Sequence, residues 1–132
     1  MTGLVVDTSA MVAILTGEPD RGWLVERLAE ASDRLVAAPT ALELGIVLEA
    51  RSPAAVGISR RALRDARIST VAFDDDLAER ALDAWRRFGK GRHAALLNFG
   101  DCCTYALAER TDYLILCAGG DFARTDLPVA VP

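Results

Sequence analysis

The chain has 132 residues, of which 52% are hydrophobic and 26% charged; this composition is typical of one soluble globular domain and argues against intrinsic disorder. No apolar run approaches the roughly 20 residues that span a bilayer, and the N-terminus lacks the features of a signal peptide, so we expect a cytoplasmic protein. The three cysteines are odd in number and have no CxxC spacing, which predicts buried thiols and argues against a disulfide framework or a zinc site.

The net charge of -4 by itself disfavours a nucleic-acid partner. The basic residues are nevertheless concentrated in two runs, with positions 60, 61, 64 and 67 in one and positions 86, 87, 90 and 92 in the other. No acid occurs from Ala84 to Gly100. These runs could contact a polyanion or form solvated helix faces, and the sequence leaves both interpretations open.

The first half of the chain alternates short apolar runs with helical patterns. An apolar run at residues 4–6 predicts a buried strand that ends at Asp7. Helices are predicted at residues 9–15 and 20–31, the second capped by Asp20. A second strand at residues 34–37 ends before Pro39. Helical patterns follow at residues 40–51 and 53–67.

The second half repeats this alternation. Residues 70–73 predict a strand, and three aspartates at 74–76 begin a long helix that Gly89 ends. Residues 90–99 predict a loop, residues 100–110 a helix, residues 113–117 a strand, and residues 128–131 a last edge strand. Strands that alternate with helices predict an α/β domain with a mainly parallel sheet.

Four acids stand at the ends of these elements, and each has a structural explanation. Asp7 could cap the first helix or hold its turn. Glu43 completes the T-x-x-E pattern of a capping box that starts at Thr40. Asp101 lies in the first turn of its helix, where the helix dipole favours an anion. Asp121 follows two glycines and could serve a turn.

The topology of the predicted sheet brings three of these acids to one edge. Ligands of open parallel sheets bind beyond the carboxyl ends of the strands. Asp7, Glu43 and Asp121 all follow strand ends, whereas Asp101 lies in a helix that precedes a strand, so strand order alone does not assign it to that edge. Carboxylates gathered in one cleft need a compensating cation. Oxygen ligands alone select a hard ion such as Mg²⁺ or Mn²⁺, whose chemistry suits phosphodiester hydrolysis.

The order and spacing of several motifs resemble the PIN-domain toxins of the VapBC toxin–antitoxin systems. These motifs are Val-Val-Asp-Thr-Ser-Ala at 5–10, the isolated Glu43, Gly-Lys-Gly-Arg-His at 89–93, Asn-Phe-Gly-Asp-Cys at 98–102 and Gly-Asp-Phe at 120–122. The resemblance covers nearly the whole chain and implies a single PIN-like domain over residues 1–132. It implies a three-layer α/β/α sandwich with a mainly parallel sheet.

The same resemblance implies a toxin that is a Mg²⁺- or Mn²⁺-dependent endoribonuclease. It implies RNA as substrate, a VapB-type antitoxin that covers the acid groove, and a homodimer. Asp7, Glu43, Asp101 and Asp121 match the family's acidic positions and are the predicted catalytic and metal-binding residues. Asp7 and Asp101 are the predicted principal ligands, with Glu43 holding a ligand water or a second ion.

Several residues other than the four acids have predicted roles that do not involve direct metal binding. Thr8 and Ser9 flank Asp7, and their hydroxyls could bond a carboxylate or a metal-bound water, although Ser9 could equally cap the helix. Ala118 replaces a lysine that is common in the family before the last acid. Asp126 also matches a family position, where the prediction is a buried hydrogen-bonding role. An RNA or antitoxin contact is predicted for His93, the only histidine, rather than catalysis.

Two other functions compete with the nuclease. In the first, the acids only cap helices, and the chain is a non-catalytic module that binds nucleic acid or a protein partner. In the second, the chain is an α/β phosphatase or nucleotide-binding enzyme. The absence of GxGxxG and of a GKS or GKT loop disfavours the latter.

Overall fold

The computed structural model describes residues 3–89, 91, 97–120 and 122–130. The predicted site residue Asp121, His93, and most of the predicted loop at 90–99 therefore lie outside the described residues. No helix of the described ranges is long and apolar enough to cross a membrane.

Five parallel strands of the described chain form one sheet in the order β3-β2-β1-β4-β5. The strands are β1 (Gly3–Val6), β2 (Asp33–Ala37), β3 (Ser69–Val71), β4 (Leu114–Leu116) and β5 (Val129–Ala130). The central strand β1 is buried along its whole length, because helices cover both faces of a parallel sheet. The predicted edge strand is confirmed as β5.

Helices connect these strands. They are α1 (Thr8–Thr16), α2 (Arg21–Glu30), α3 (Ala38–Arg51), α4 (Ile58–Asp65), α5 (Asp75–Phe88) and α6 (Phe99–Thr111). Short 3₁₀ turns occur at Pro53–Ala55 and Phe122–Arg124. The helix predicted over residues 53–67 is thus divided, since Gly57 adopts a left-handed conformation (φ 77°) before α4 begins.

Alternate residues of the central strands face two separate cores. Val5 and Ile115 pack with side chains of α5 and α6, whereas Val6 and Leu116 pack with side chains of α1 to α4. Successive strand residues point to opposite faces of a sheet, so each strand contributes to both cores. The predicted three-layer α/β/α sandwich is confirmed.

The capping box predicted at Thr40 is wrong. Helix α3 begins two residues earlier, at Ala38, with Pro39 in its first turn, a position that suits proline because the first helical N–H groups have no partner within the helix. Thr40 is therefore inside the helix and buried, and its hydroxyl is available for a tertiary contact.

Candidate functional site

Asp7 lies at the carboxyl end of β1 and caps the N-terminus of α1. Its Oδ2 accepts hydrogen bonds from the backbone N–H of Ser9 at 3.1 Å and from the Ser9 hydroxyl at 2.7 Å. The Ser9 hydroxyl in turn accepts from the backbone N–H of Ala118, just beyond β4, at 3.0 Å. Asp7 is only 4% exposed, and these contacts offset the cost of burying its carboxylate.

A buried pair of threonines approaches Asp7 from the other side. The Thr104 hydroxyl donates to Asp7 Oδ1 at 2.8 Å. The Thr40 and Thr104 hydroxyl oxygens lie 3.3 Å apart. Each hydroxyl carries one proton, so with Thr104 donating to Asp7, the proton between the two threonines comes from Thr40. Helices α3 and α6 are thereby joined to the end of β1.

Glu43 is held beside the start of α6. Its Oε1 accepts a 2.5 Å hydrogen bond from the hydroxyl of Thr8, the residue that follows Asp7. Its carboxylate also lies against Gly100, where an added Cβ would stand 2.6 Å from Oε2. The pKa of the nearby Cys103 thiol is raised to about 11, chiefly by burial and also by the charges of Cys102 and Glu43. Glu43 is therefore next to the residue that precedes Asp101.

Asp101 is fixed at the N-terminus of α6 by a capping box. Its backbone N–H donates to Asn98 Oδ1 at 2.9 Å, and its Oδ2 accepts from the Asn98 backbone N–H at 3.1 Å. Asp101 lies three residues before Thr104, and side chains at this spacing share one helix face. The face of α6 that contacts Asp7 is thus also the face of Asp101.

Strand order did not assign Asp101 to the carboxyl edge of the sheet in the sequence analysis, but the structure places the start of its helix there. In a parallel sheet the connecting helices run antiparallel to the strands, so a helix that precedes a strand begins at the carboxyl edge of the sheet. The contact between Thr104 and Asp7 places the first turns of α6 at that edge. The sheet topology that predicted Asp7 and Glu43 at the carboxyl edge therefore also predicts Asp101 at that edge.

Hydroxyl groups contact Asp7 and Glu43, and Asp101 lies one turn of α6 before Thr104, the hydroxyl donor to Asp7. Among the described residues, however, no three carboxylate, thiol or imidazole side chains are grouped closely enough to hold a metal ion. A partly hydrated Mg²⁺ usually takes only one or two protein carboxylates and keeps several waters. The donor set of this region therefore fits such an ion, and it does not form a closed protein cage.

Sequence reasoning missed Thr104, whose hydroxyl donates to Asp7, and Thr40, whose hydroxyl contacts that of Thr104. A signal for both was present: Thr40 lies three residues before Glu43, and Thr104 three residues after Asp101. Each threonine therefore lies on the same helix face as a predicted acid.

Other predicted residues have structural roles. Asp74 caps α5 by accepting from the Leu77 backbone N–H at 3.0 Å, as predicted. Asp126 accepts from the Tyr105 hydroxyl and from Arg87, but its side chain is 50% exposed, so the hydrogen-bonding role is confirmed and the predicted burial is wrong. The three cysteines are free and buried, as predicted.

The two basic runs differ in the contacts they make. Arg87 binds Asp126 at 2.7 Å and lies over the ring of Phe88. The exposed arginines 60, 61, 64 and 67, on and after α4, form no ion pair with any residue in the described part of the chain. Lys90 and Arg92 lie outside the described residues.

The sequence matches the family model of the PIN domain over residues 4–127. It is 44% identical over 126 residues to "Ribonuclease VapC36" of Mycobacterium tuberculosis, covering 94% of this chain and 91% of that protein. The chain belongs to the PIN-domain family of VapC proteins. A "Ribonuclease VapC" of Mycolicibacterium smegmatis is 43% identical, covering 94% of this chain and 97% of that relative.

Solved structures of VapC proteins share this fold. The crystal structure of VapC20 from Mycobacterium tuberculosis superposes with a TM-score of 0.74 at 19% identity, covering 98% of this chain and 99% of that one. A toxin–antitoxin complex from Klebsiella pneumoniae gives a TM-score of 0.71 at 16% identity, with 96% of each chain covered. At these identities the structural match supports the PIN fold of the chain.

Proposed function

We propose that this VapC protein is a Mg²⁺- or Mn²⁺-dependent endoribonuclease and the toxin of a type II toxin–antitoxin system, acting in the cytoplasm as a single domain over residues 1–132. The observation that carries the proposal is the pair of hydrogen bonds that join Thr8 to Glu43 and Thr104, near the start of α6, to Asp7. The curated relatives named as ribonucleases support RNA as the substrate.

Asp7 and Asp101 are the proposed metal ligands, with Glu43 beside them and Asp121 as a fourth acid outside the described residues. A bound Mg²⁺ or Mn²⁺ would lower the pKa of water and offset charge on the phosphoryl oxygens. Asp7 caps the N-terminus of α1 and Asp101 lies in the first turn of α6, so local hydrogen bonds fix the positions of both carboxylates.

The residues of the chain supply orientation and proton acceptance. The Thr8 hydroxyl occupies Oε1 of Glu43, so the proposed role of Oε2 is to accept a hydrogen bond from the water that attacks the phosphorus. Thr8 thereby limits the rotation of the Glu43 carboxylate. A fixed acceptor of this kind lowers the entropic cost of aligning water and phosphorus in line.

The proposed antitoxin partner binds an apolar groove on the surface of the domain. On α3, Leu42 and Ile46 are 65% and 60% exposed, and they line a groove of about 1070 Å³ between α3 and α4. Arg60 and Arg64 line the opposite wall. An amphipathic segment with apolar and acidic side chains would complement this groove, and toxin–antitoxin complexes among the structural neighbours support the pairing.

The proposed homodimer uses a second apolar surface. A pocket of about 500 Å³ between α5 and α6 is lined by Leu82, Trp85 and Phe99, which are 44%, 41% and 80% exposed. Exposed apolar groups gathered in this way are typical of interfaces. Sedimentation of wild type and Phe99→Ser would test it: an unchanged monomer for both removes the dimer proposal.

Purified Asp7→Asn and Asp101→Asn variants test the nuclease. Asparagine also caps helices, so both variants should fold while losing at least about 100-fold in cleavage, the scale expected for loss of an essential catalytic group. Asp75→Asn is the matched control, since Asp75 also lies in the first turn of a helix and is exposed. Cleavage by Asp7→Asn at the wild-type rate would refute the proposal.

The non-catalytic binding module remains the second candidate, because helix capping explains the local contacts of Asp7 and Asp101. Isothermal titration with Mn²⁺ separates the two functions. The nuclease should bind Mn²⁺ and lose binding in Asp7→Asn, whereas a module whose acids serve only as caps should bind no Mn²⁺ in either protein.

A further inference from the structure

We propose that Thr104 is a positioning residue for Asp7 and that Thr40 acts through it, so that this VapC protein presents Asp7 to its metal through a single oxygen lone pair. The inference rests on the proposed metal-dependent function and specifies how one ligand of that site is oriented. It is carried by the buried hydroxyls of α3 and α6 and by the hydrogen bonds that already occupy Asp7.

The acceptor capacity of Asp7 is mostly used within the protein. A carboxylate has about four lone-pair positions, two on each oxygen. Oδ2 accepts from the backbone N–H and the hydroxyl of Ser9, and Oδ1 accepts from Thr104. The one position that these contacts leave is on Oδ1, so Asp7 can bind a cation through one oxygen and not through both.

Thr104 determines the direction in which the remaining lone pair of Asp7 Oδ1 points. Its hydroxyl is fully buried, and no water competes with Asp7 for its proton. Without Thr104, Oδ1 would lose the donor that opposes rotation of the carboxylate about its bond to Cβ, and Ser9 alone would hold the group. The remaining lone pair would then sample several directions, which costs ligand affinity when a metal requires one.

Thr40 fixes the orientation of the Thr104 hydroxyl and so acts on Asp7 indirectly. It is 2% exposed, and its proton is directed to the Thr104 oxygen, since Thr104 donates its own proton to Asp7. This contact fixes the rotation of the Thr104 hydroxyl. Because Thr40 has no hydrogen bond to Asp7 itself, its influence on the metal must pass through Thr104.

The test compares Mn²⁺ binding by the full-length chain in wild type, Thr104→Val, Thr104→Ser, Thr40→Val and the Thr40→Val/Thr104→Val double variant. Valine keeps the shape of threonine without its hydroxyl, whereas serine keeps the hydroxyl. We expect Thr104→Val to weaken Mn²⁺ binding by about tenfold, as loss of an outer partner of a metal ligand does, and Thr104→Ser to restore most of it. Thr40→Val should have a smaller effect, and the double variant should bind as Thr104→Val does.

Thr111→Val is the matched control on the same helix. Its hydroxyl donates to the backbone carbonyl of Leu107, away from the acids, so its Mn²⁺ affinity should equal that of wild type. Thermal unfolding without metal shows whether each variant is folded. If Thr104→Val does not fold, the comparison of Thr40→Val with wild type decides, because that variant leaves the bond between Thr104 and Asp7 in place.

Several results would overturn the inference. They are an unchanged Mn²⁺ affinity in folded Thr104→Val, a Thr104→Ser protein no better than Thr104→Val, or additive losses in the double variant. Failure of the proposed function is distinguishable, since it would appear as absence of Mn²⁺ binding and of RNA cleavage in the wild-type protein itself.

Discussion

The hydroxyl of Thr8 donates a 2.5 Å hydrogen bond to the carboxylate of Glu43, 35 residues further along the chain. Thr8 directly follows Asp7, so one dipeptide at the end of β1 provides a proposed metal ligand and fixes its neighbouring acid. This relationship explains why Asp7, the N-cap of α1, and Thr8, the first residue of α1, are both buried although both are polar.

Replacing Thr8 with valine should reduce RNA cleavage about tenfold, within the range for residues that orient groups at a metal site. The loss is expected in kcat rather than KM, because Glu43 would remain present but less well oriented toward the attacking water. Single-turnover cleavage measures it. Thr8→Ser keeps the hydroxyl and should retain most of the rate; equal losses in the serine and valine proteins would argue against this role.

Replacing Gly100 with alanine should displace the Glu43 carboxylate. The new methyl group would stand 2.6 Å from Oε2, and a shift of about 1 Å in a catalytic group can cost roughly 100-fold in rate. Stability should change little, because the displaced atoms are the end of a flexible side chain. Cleavage rates and melting temperatures of the purified variant test both statements.

Gly22→Ala is the control for this substitution. Gly22 is also the second residue of its helix, in α2, and an added Cβ there meets nothing within 4 Å. It should leave cleavage unchanged. A Gly100→Ala protein as active as Gly22→Ala would show that Glu43 does not need its present position.

Replacing Tyr105 with phenylalanine should destabilise the protein by about 1 kcal/mol, which is below the usual range of roughly 1.5–3 kcal/mol for hydrogen bonds to charged groups because Asp126 is half exposed. Tyr105 is buried, and its hydroxyl bonds Asp126 beside Arg87. Urea unfolding at neutral pH measures the loss. Tyr113→Phe, which removes an exposed bond to Asp33, should cost less.

The hydrogen bond between Tyr105 and Asp126 also predicts how protein stability changes at acidic pH. Burial opposes ionisation of Asp126, but the bonds from Tyr105 and Arg87 outweigh it and lower the pKa of the carboxyl below its ordinary value. A lowered native pKa contributes stability above the unfolded-state value near 4, and this contribution is lost as the pH falls through the native pKa. The stability difference between wild type and Tyr105→Phe should therefore shrink below about pH 4.

The buried thiols predict how protein stability changes at alkaline pH. Burial raises the pKa of Cys102 and Cys103 to about 11, with a smaller contribution from neighbouring negative charge. Between about pH 9 and pH 11 the unfolded chain loses thiol protons that the native state keeps, so stability should fall as pH rises through this range. Urea titrations across it should show a shallower decline in Cys102→Ala; an identical decline would remove thiol ionisation as the cause.

Sequence alone predicted most of the helices and strands and their order along the chain. Strand burial and helix capping depend on residues a few positions apart, so the sequence shows them directly. Such local signals are the apolar runs before Asp7 and before Pro39, the aspartates that begin α5, and the asparagine and aspartate that begin α6. Together with strand alternation they specified the parallel sheet and the edge where Asp7 and Glu43 lie.

Tertiary structure alone decided which groups touch these acids. Thr40 reads as a helix cap in the sequence, yet it donates to Thr104, 64 residues away, because α3 begins two residues earlier than its polar pattern indicates. Three of the roughly four lone-pair positions of Asp7 accept hydrogen bonds from α1 and α6. The end of β4 orients one of these donors, the hydroxyl of Ser9. Hydrogen bonds between distant residues depend on distances of a few ångströms that helix packing sets, and no local pattern records those distances.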